Sequence, residues 1–181
     1  MRIGLFGGSF DPPHMGHLQC AMDALYTGEI DLVHLIPSAG HPYKEHEIFF
    51  KDRLKMCQMM ATGCEDWLYV SRIEEDIRYW LKKGEEDSLY AVEVVRNYHL
   101  GNRRDTYRWI IGEDLEDEIH TWHEAEELIQ KAPPLIVPRT SDLSSTAIRE
   151  AYRQGESVPD DWLHPDVKTF LEENILSYWF L

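Results

Sequence analysis

The chain has 181 residues, 33 acidic against 18 basic, for a formal net charge of −15 with histidines neutral. That length allows one domain, residues 1–181, with a sizeable core, and that charge argues against non-specific binding to nucleic acid. No apolar run approaches a membrane span, no secretory leader is read, and Cys20, Cys57 and Cys64 lack metal-ligand spacing, so a reduced, cytoplasmic protein without a membrane partner is expected.

Ile3 to Phe6 is an apolar run that reads as a first strand buried on both faces. Gly7 and Gly8 then let the backbone turn and let a ligand approach closely. Ser9 offers a small hydroxyl, and Pro12-Pro13 forbids helix, so a helix begins near Met15. His14 and His17 flank its first turn and share one face, beside free N–H groups and a helix dipole that favour phosphate.

Leu18, Ala21, Met22 and Leu25 give this helix an apolar stripe, and Gly28 is its stop. Leu32 to Ile36 is the second strand, ended by Pro37, and the loop Ser38 to Ile48 carries Gly40-His41-Pro42-Tyr43-Lys44. Phe50, Leu54, Cys57 and Ala61 make the next stripe, closed by Gly63, before a short strand at Trp67 to Val70. Arg72 to Asp87 is charge-dense and reads as a solvated or mobile surface segment, with Tyr79 and Trp80 folding part of it over something apolar. Ser88 precedes a helix with Leu89, Val92 and Val95 inward, running to about Leu100.

Tyr107 to Ile111 is a strand followed by Gly112-Glu113-Asp114, and Leu115 to Lys131 is a helix-rich acidic patch. Leu135 to Val137 is the last clear strand. Ser144-Ser145-Thr146 opens a helix through about Arg153, where small hydroxyls and backbone N–H groups suit an anion that Arg149 can also reach. Pro165 starts a final helix with Val167, Phe170 and Leu171 buried, and the chain ends on the apolar Ser177-Tyr178-Trp179-Phe180-Leu181, read as core docking with a dimer contact left open. Alternating strands and helices predict an α/β fold: one Rossmann-like, doubly wound parallel sheet of about five strands with helices on both faces. Such sheets bind ligands beyond the carboxyl ends of their strands, where Gly7 to His17, Ser38 to Lys44, Gly112 to Asp114 and Arg139 to Arg149 converge.

The first loop, Gly8-Ser9-Phe10-Asp11-Pro12-Pro13-His14-Met15-Gly16-His17, and the closing Ser144-Ser145-Thr146-Ala147-Ile148-Arg149 together resemble the signatures of the HxGH nucleotidylyltransferases, most of all the nicotinate or nicotinamide mononucleotide adenylyltransferases. The resemblance implies transfer of AMP from ATP to a pyridine mononucleotide with release of pyrophosphate, in NAD biosynthesis. It implies catalytic roles for His14, His17 and Arg149. It implies ATP contacts from Gly7, Gly8, Ser9, Phe10, His14, His17, Gly112, Asp114, Ser144, Ser145, Thr146 and Arg149, and mononucleotide contacts from Lys44, Ser88, Trp122 and Arg139. Arg53 also matches one of the family's basic positions. Mg²⁺ would ride on the ATP phosphates, with no metal site built from the protein. Two departures, His41-Pro42-Tyr43-Lys44 for the usual P-P-H-K and Asp87-Ser88-Leu89-Tyr90 for the usual P-S-Y-T, leave the choice of acceptor open. A sister phosphopantetheine adenylyltransferase or cytidylyltransferase, and a non-catalytic nucleotide sensor, are the competing readings. A homo-oligomer is left open.

Overall fold

Five parallel strands make one sheet in the order β3-β2-β1-β4-β5. The structure, a computed structural model, describes residues 1–40, 46–83, 89–102, 104–139 and 142–176. The elements in chain order are β1 (Arg2–Gly8), α1 (Met15–Tyr26), β2 (Leu32–Pro37), α2 (Phe50–Met60), β3 (Leu68–Val70), α3 (Ile73–Leu81), α4 (Ala91–Gly101), β4 (Thr106–Gly112), α5 (Ala125–Lys131), β5 (Pro134–Val137), α6 (Ser145–Arg153) and α7 (Pro165–Asn174), with 3-10 turns at Glu113–Leu115 and Ile119–Thr121. Lys44, Ser88 and the C-terminal Ser177 to Leu181 lie outside the described residues.

The alternation of side chains along each strand divides the core in two. Phe6, Val33, Leu35 and Ile110 point to one face, where α1, α2, α6 and α7 cover them. Ile3, Leu5, Tyr107, Trp109 and Ile111 point to the other, covered by α3, α4 and α5. The predicted doubly wound sheet is therefore what forms. β1 pairs with β2 from Ile3↔Leu32 to Gly8↔Pro37 and with β4 from Arg2↔Thr106 to Leu5↔Trp109. The chain runs from β1 out to β2 and β3, then returns past β1 to β4 and β5, so the winding reverses between β1 and β4. In a parallel sheet the crevice for a ligand opens there, at the carboxyl ends.

Two readings of the sequence need correction. Arg72 to Leu81 is neither a loose nor a wholly solvated segment: Ile73–Leu81 is helix α3, with Glu74, Ile77 and Arg78 buried at helical spacing. Among the described residues Tyr79 and Trp80 are not folded over the core: each is 77% exposed, and they pack edge-on against each other with ring centroids 5.5 Å apart. The turn after β1 also has a different origin. Gly7 and Gly8 remain in the strand, and the positive φ of 47° falls on Phe10. The glycine at position 7 is there for space: a Cβ would stand 2.8 Å from the Trp109 ring. Among the described residues no helix is long and apolar enough to cross a membrane.

Candidate active site

The carboxyl ends of β1 and β4 carry two adjoining cavities. The larger, about 290 Å³, is lined by His14, His17 and Cys20 from the start of α1, Gly112 and Asp114 after β4, Arg139 after β5, and Ser144 and Ser145 opening α6. The smaller, about 170 Å³, is lined by Gly7, Gly8, Ser38, Gly40, Glu74, Leu89, Ala91, Trp109 and Trp122. Phe6, Gly112 and Leu115 border both, so the two cavities meet over the central strands, at the reversal of winding.

α1 begins where Pro12-Pro13 ends, with His14 as its N-cap residue and Met15 N–H donating to Trp162 O at 2.9 Å. His14 N–H donates to His17 Nδ1 at 3.1 Å. That bond fixes the neutral tautomer of His17 with its proton on Nε2, which makes Nε2 a donor. The two imidazoles stack with centroids 3.7 Å apart, and His17 meets the Phe10 ring edge-on at 4.7 Å. Burial pushes His14 down to about 4, with the Arg139 charge adding to it. Burial, then His14, holds His17 well below the ordinary histidine value. Both rings are therefore neutral at pH 7, and His14 Nδ1 is buried without a hydrogen-bond partner.

The two sequence motifs, 130 or so residues apart, are tied by direct bonds. Ser145 Oγ donates to Pro12 O at 2.8 Å, and Arg149 Nη1 donates to Asp11 O at 2.5 Å. Ser144 caps α6, its Oγ accepting from Ala147 N–H at 3.1 Å. Thr146, two residues on, is exposed, with its Oγ1 3.4 Å from Arg149 Nη2. Both arginines of the phosphate side already hold carboxylates: Arg149 Nε donates to Glu47 at 2.9 Å, and Arg139 Nη1 to Asp114 at 3.2 Å. Arg153 pairs with the same Glu47. An anion entering here would compete with these carboxylates for the guanidinium groups. Within an acidic chain this keeps cations parked at the site.

The structure also separates residues that the sequence grouped together. Arg139, expected beside the mononucleotide, lines the larger cavity with His14, whereas Gly7 and Gly8, expected beside ATP, line the smaller one with Trp122. Phe10 is fully buried and lines neither; its ring packs on Gly8 and His17. Ser9 lines neither cavity either, and its carbonyl accepts from Arg53 Nη1 at 2.5 Å. Arg53, which matches one of the family's basic positions, is 1% exposed and lines neither cavity. Asp11 braces a loop, as its sequence context suggests, and Glu74, which sequence reasoning left unassigned, stands out. Asp11 accepts from the Glu47 and Ile48 amides at 2.9 and 3.0 Å, which braces the loop after β2. Glu74, 7% exposed, lines the smaller cavity and accepts from Ala39 N–H at 2.7 Å; burial pushes its carboxyl up to about 8.

These buried groups give stability a signed pH dependence. His34, hydrogen-bonded to Tyr98 at 2.8 Å, is also held down to about 4 by burial. An unfolded chain takes up protons below its ordinary histidine value near 6.5 that the folded chain refuses at His14, His17 and His34, so stability is lost as pH falls from 6.5 to 4. His14 alone accounts for about 3 kcal/mol over that span. Glu74 works the other way, its stabilising protonation in the folded state being lost as pH rises towards 8. A urea-midpoint series should therefore peak near pH 6.5 and fall more steeply on the acid side, where three histidines outweigh one carboxyl. A flat midpoint between pH 4.5 and 6.5 contradicts this.

Residues 5–151 match the cytidylyltransferase-like family model. A protein named probable nicotinate-nucleotide adenylyltransferase from Myxococcus xanthus is 33% identical over 174 residues, covering 88% of this chain and 86% of its own. The nicotinate-nucleotide adenylyltransferase of Bacillus subtilis is 30% identical, with 96% of each chain covered. The Plasmodium falciparum nicotinic acid mononucleotide adenylyltransferase, solved with NaAD, shares the fold at a TM-score of 0.74 and 14% identity over 98% of each chain. With both phosphate-side motifs joined at the crevice and relatives matched along nearly its whole length, this chain belongs to the cytidylyltransferase-like family and, within it, to the nicotinate-nucleotide adenylyltransferases.

Proposed function

We propose that the chain joins ATP to nicotinate mononucleotide, making the dinucleotide with release of pyrophosphate, and that ATP occupies the larger cavity and the mononucleotide the smaller. The observation that carries this reading is the pair of cavities meeting at Phe6 and Gly112: two substrates placed in them meet where the histidines stand. A phosphate oxygen of the mononucleotide attacks the α-phosphorus of ATP, the bond to the α–β bridging oxygen breaks, and pyrophosphate leaves. The attacking oxygen is already anionic, so the protein needs no covalent nucleophile, and catalysis is positioning plus charge neutralisation. Holding two substrates in line contributes roughly 7–11 kcal/mol.

In this reading His17 donates from Nε2 to the ATP phosphates, with His14 stacked beside it. Ser144, Ser145, Thr146 and Arg149 hold the departing β- and γ-phosphates, and Arg139, now grouped with them, joins that set. Gly112 admits the nucleoside close to β4, and Asp114 accepts from its hydroxyls. Trp122 offers its face to the pyridine ring, and Lys44 and Ser88 are assigned to the mononucleotide. The carboxylates on the phosphate side are already engaged: Glu47 and Asp114 are paired with Arg149 and Arg139, and the buried Asp11 is committed to two backbone amides. That set leaves Mg²⁺ to be carried on phosphate oxygens and water, where it would supply positive charge to the leaving pyrophosphate.

The test is pyrophosphate release from ATP with nicotinate mononucleotide, nicotinamide mononucleotide and phosphopantetheine in parallel. Turnover of a pyridine mononucleotide is expected. Turnover of phosphopantetheine alone moves the chain to the sister activity, and nucleotide binding without pyrophosphate makes it a sensor.

A further inference from the structure

The smaller cavity holds a carboxyl where the proposed acceptor brings one of its own. Glu74 sits in the first turn of α3, is nearly inaccessible to solvent, and uses Oε2 to accept the Ala39 amide at 2.7 Å. Its neighbours in the cavity wall are Gly8, Leu89, Trp109 and Trp122, the last being the ring assigned to the pyridine. Three charged groups face it: Arg53 from α2, Arg78 from its own helix and Glu93 from α4, which is itself paired with Lys83 at 2.8 Å. Burial outweighs the two arginines and favours the protonated acid. With Oε2 committed to Ala39, the proton belongs on Oε1.

We propose that Glu74 is the residue that reads the substituent on the acceptor's pyridine ring. Protonated, it donates its O–H to a ring carboxylate, a charge-assisted bond in a dry pocket. Ionised, it repels that carboxylate and accepts instead from the N–H₂ of a ring carboxamide. The preference for nicotinate over nicotinamide mononucleotide is then set by one proton, and it weakens as pH rises. This inference rests on the acceptor assignment made above.

The experiment uses the full chain with saturating ATP and compares kcat/KM for the two mononucleotides from pH 6.5 to 9.5. Taking the ratio cancels every ionisation common to both, including the acceptor phosphate and the histidines. The ratio for the wild type is expected to fall about tenfold between pH 7 and pH 9, the loss of protonated form for a group titrating near 8. Glu74→Gln copies the protonated acid: its carbonyl accepts from Ala39 and its N–H₂ donates to the carboxylate. Its ratio should stay flat at the low-pH value. A residue that only braced Ala39 would change KM for both acceptors alike and leave the ratio without pH dependence. A flat wild-type ratio overturns the proposal and needs no variant to fold. So does an undiminished fall in Glu74→Gln. Pyrophosphate from neither mononucleotide defeats the acceptor assignment itself, an outcome distinct from turnover of both at a constant ratio.

Discussion

His17→Ala lowers kcat for pyrophosphate release at least a hundredfold and leaves the far-ultraviolet circular dichroism of the protein unchanged. The magnitude follows from what the ring is placed to do. Its Nδ1 is taken by the His14 amide, so Nε2 carries the proton, and burial keeps the ring neutral. A neutral imidazole with one fixed donor gives up no proton and needs no reorientation as charge builds on the α-phosphate. Loss of one aimed donor of this kind costs roughly 3–4 kcal/mol of transition-state stabilisation, a factor of a few hundred or more. The structural cost is smaller, because alanine favours helix at this position and the capping bond contributes about 1 kcal/mol. His14→Ala should act in the same direction. The double variant should cost much less than the product of the two, because rings stacked at 3.7 Å position one another. Undiminished kcat in His17→Ala removes the histidines from the chemistry.

What could be read from the sequence was whatever a short stretch encodes by itself. β1, the glycine loop, the His14–His17 spacing and the hydroxyl-rich opening of α6 are each local, and they land together because a parallel sheet gathers its loops at one edge. What a short stretch does not encode is the part of a residue's role that distant partners assign. Arg149 has the spacing of a phosphate ligand, and its bonds to Asp11 O and Glu47 appear only once the loop after β2 folds against α6. Glu74 was lost among the charges of Arg72 to Asp87, yet its recurrence with Ile77 and Arg78 is the i, i+3, i+4 signature of a buried face. The cluster of charges masked a helix that has one dry side. Gly7 was read as a turn former, while its neighbour across the sheet, Trp109, is what demands the missing side chain.

Arg53 is the sharpest case, because one side chain holds three carbonyls from two separate loops. Its guanidinium donates from Nε to Ile48 O at 2.9 Å, from Nη1 to Ser9 O at 2.5 Å and from Nη2 to Ser38 O at 2.7 Å. The loop after β1 and both ends of the loop after β2 are thereby held on one planar fork. Arg53→Met keeps the bulk and removes the donor from three carbonyls, two of those bonds buried and one part-buried, and it strips Asp11 of a neighbouring positive charge. A loss of about 3–5 kcal/mol in unfolding free energy is expected, the cost typical of removing one side of a buried charged network. Arg53→Lys restores the charge at one point and can satisfy one carbonyl well, so it should recover only part of that loss. In both variants KM should rise for ATP and for the mononucleotide together, because Ser9 and Ser38 belong to different loops and both lose their anchor. A substrate-binding arginine behaves otherwise: its replacement would raise KM for one substrate and leave the urea midpoint in place. Urea denaturation beside two-substrate kinetics separates these outcomes, and a fully stable Arg53→Met with one impaired KM would make Arg53 a substrate-binding residue instead.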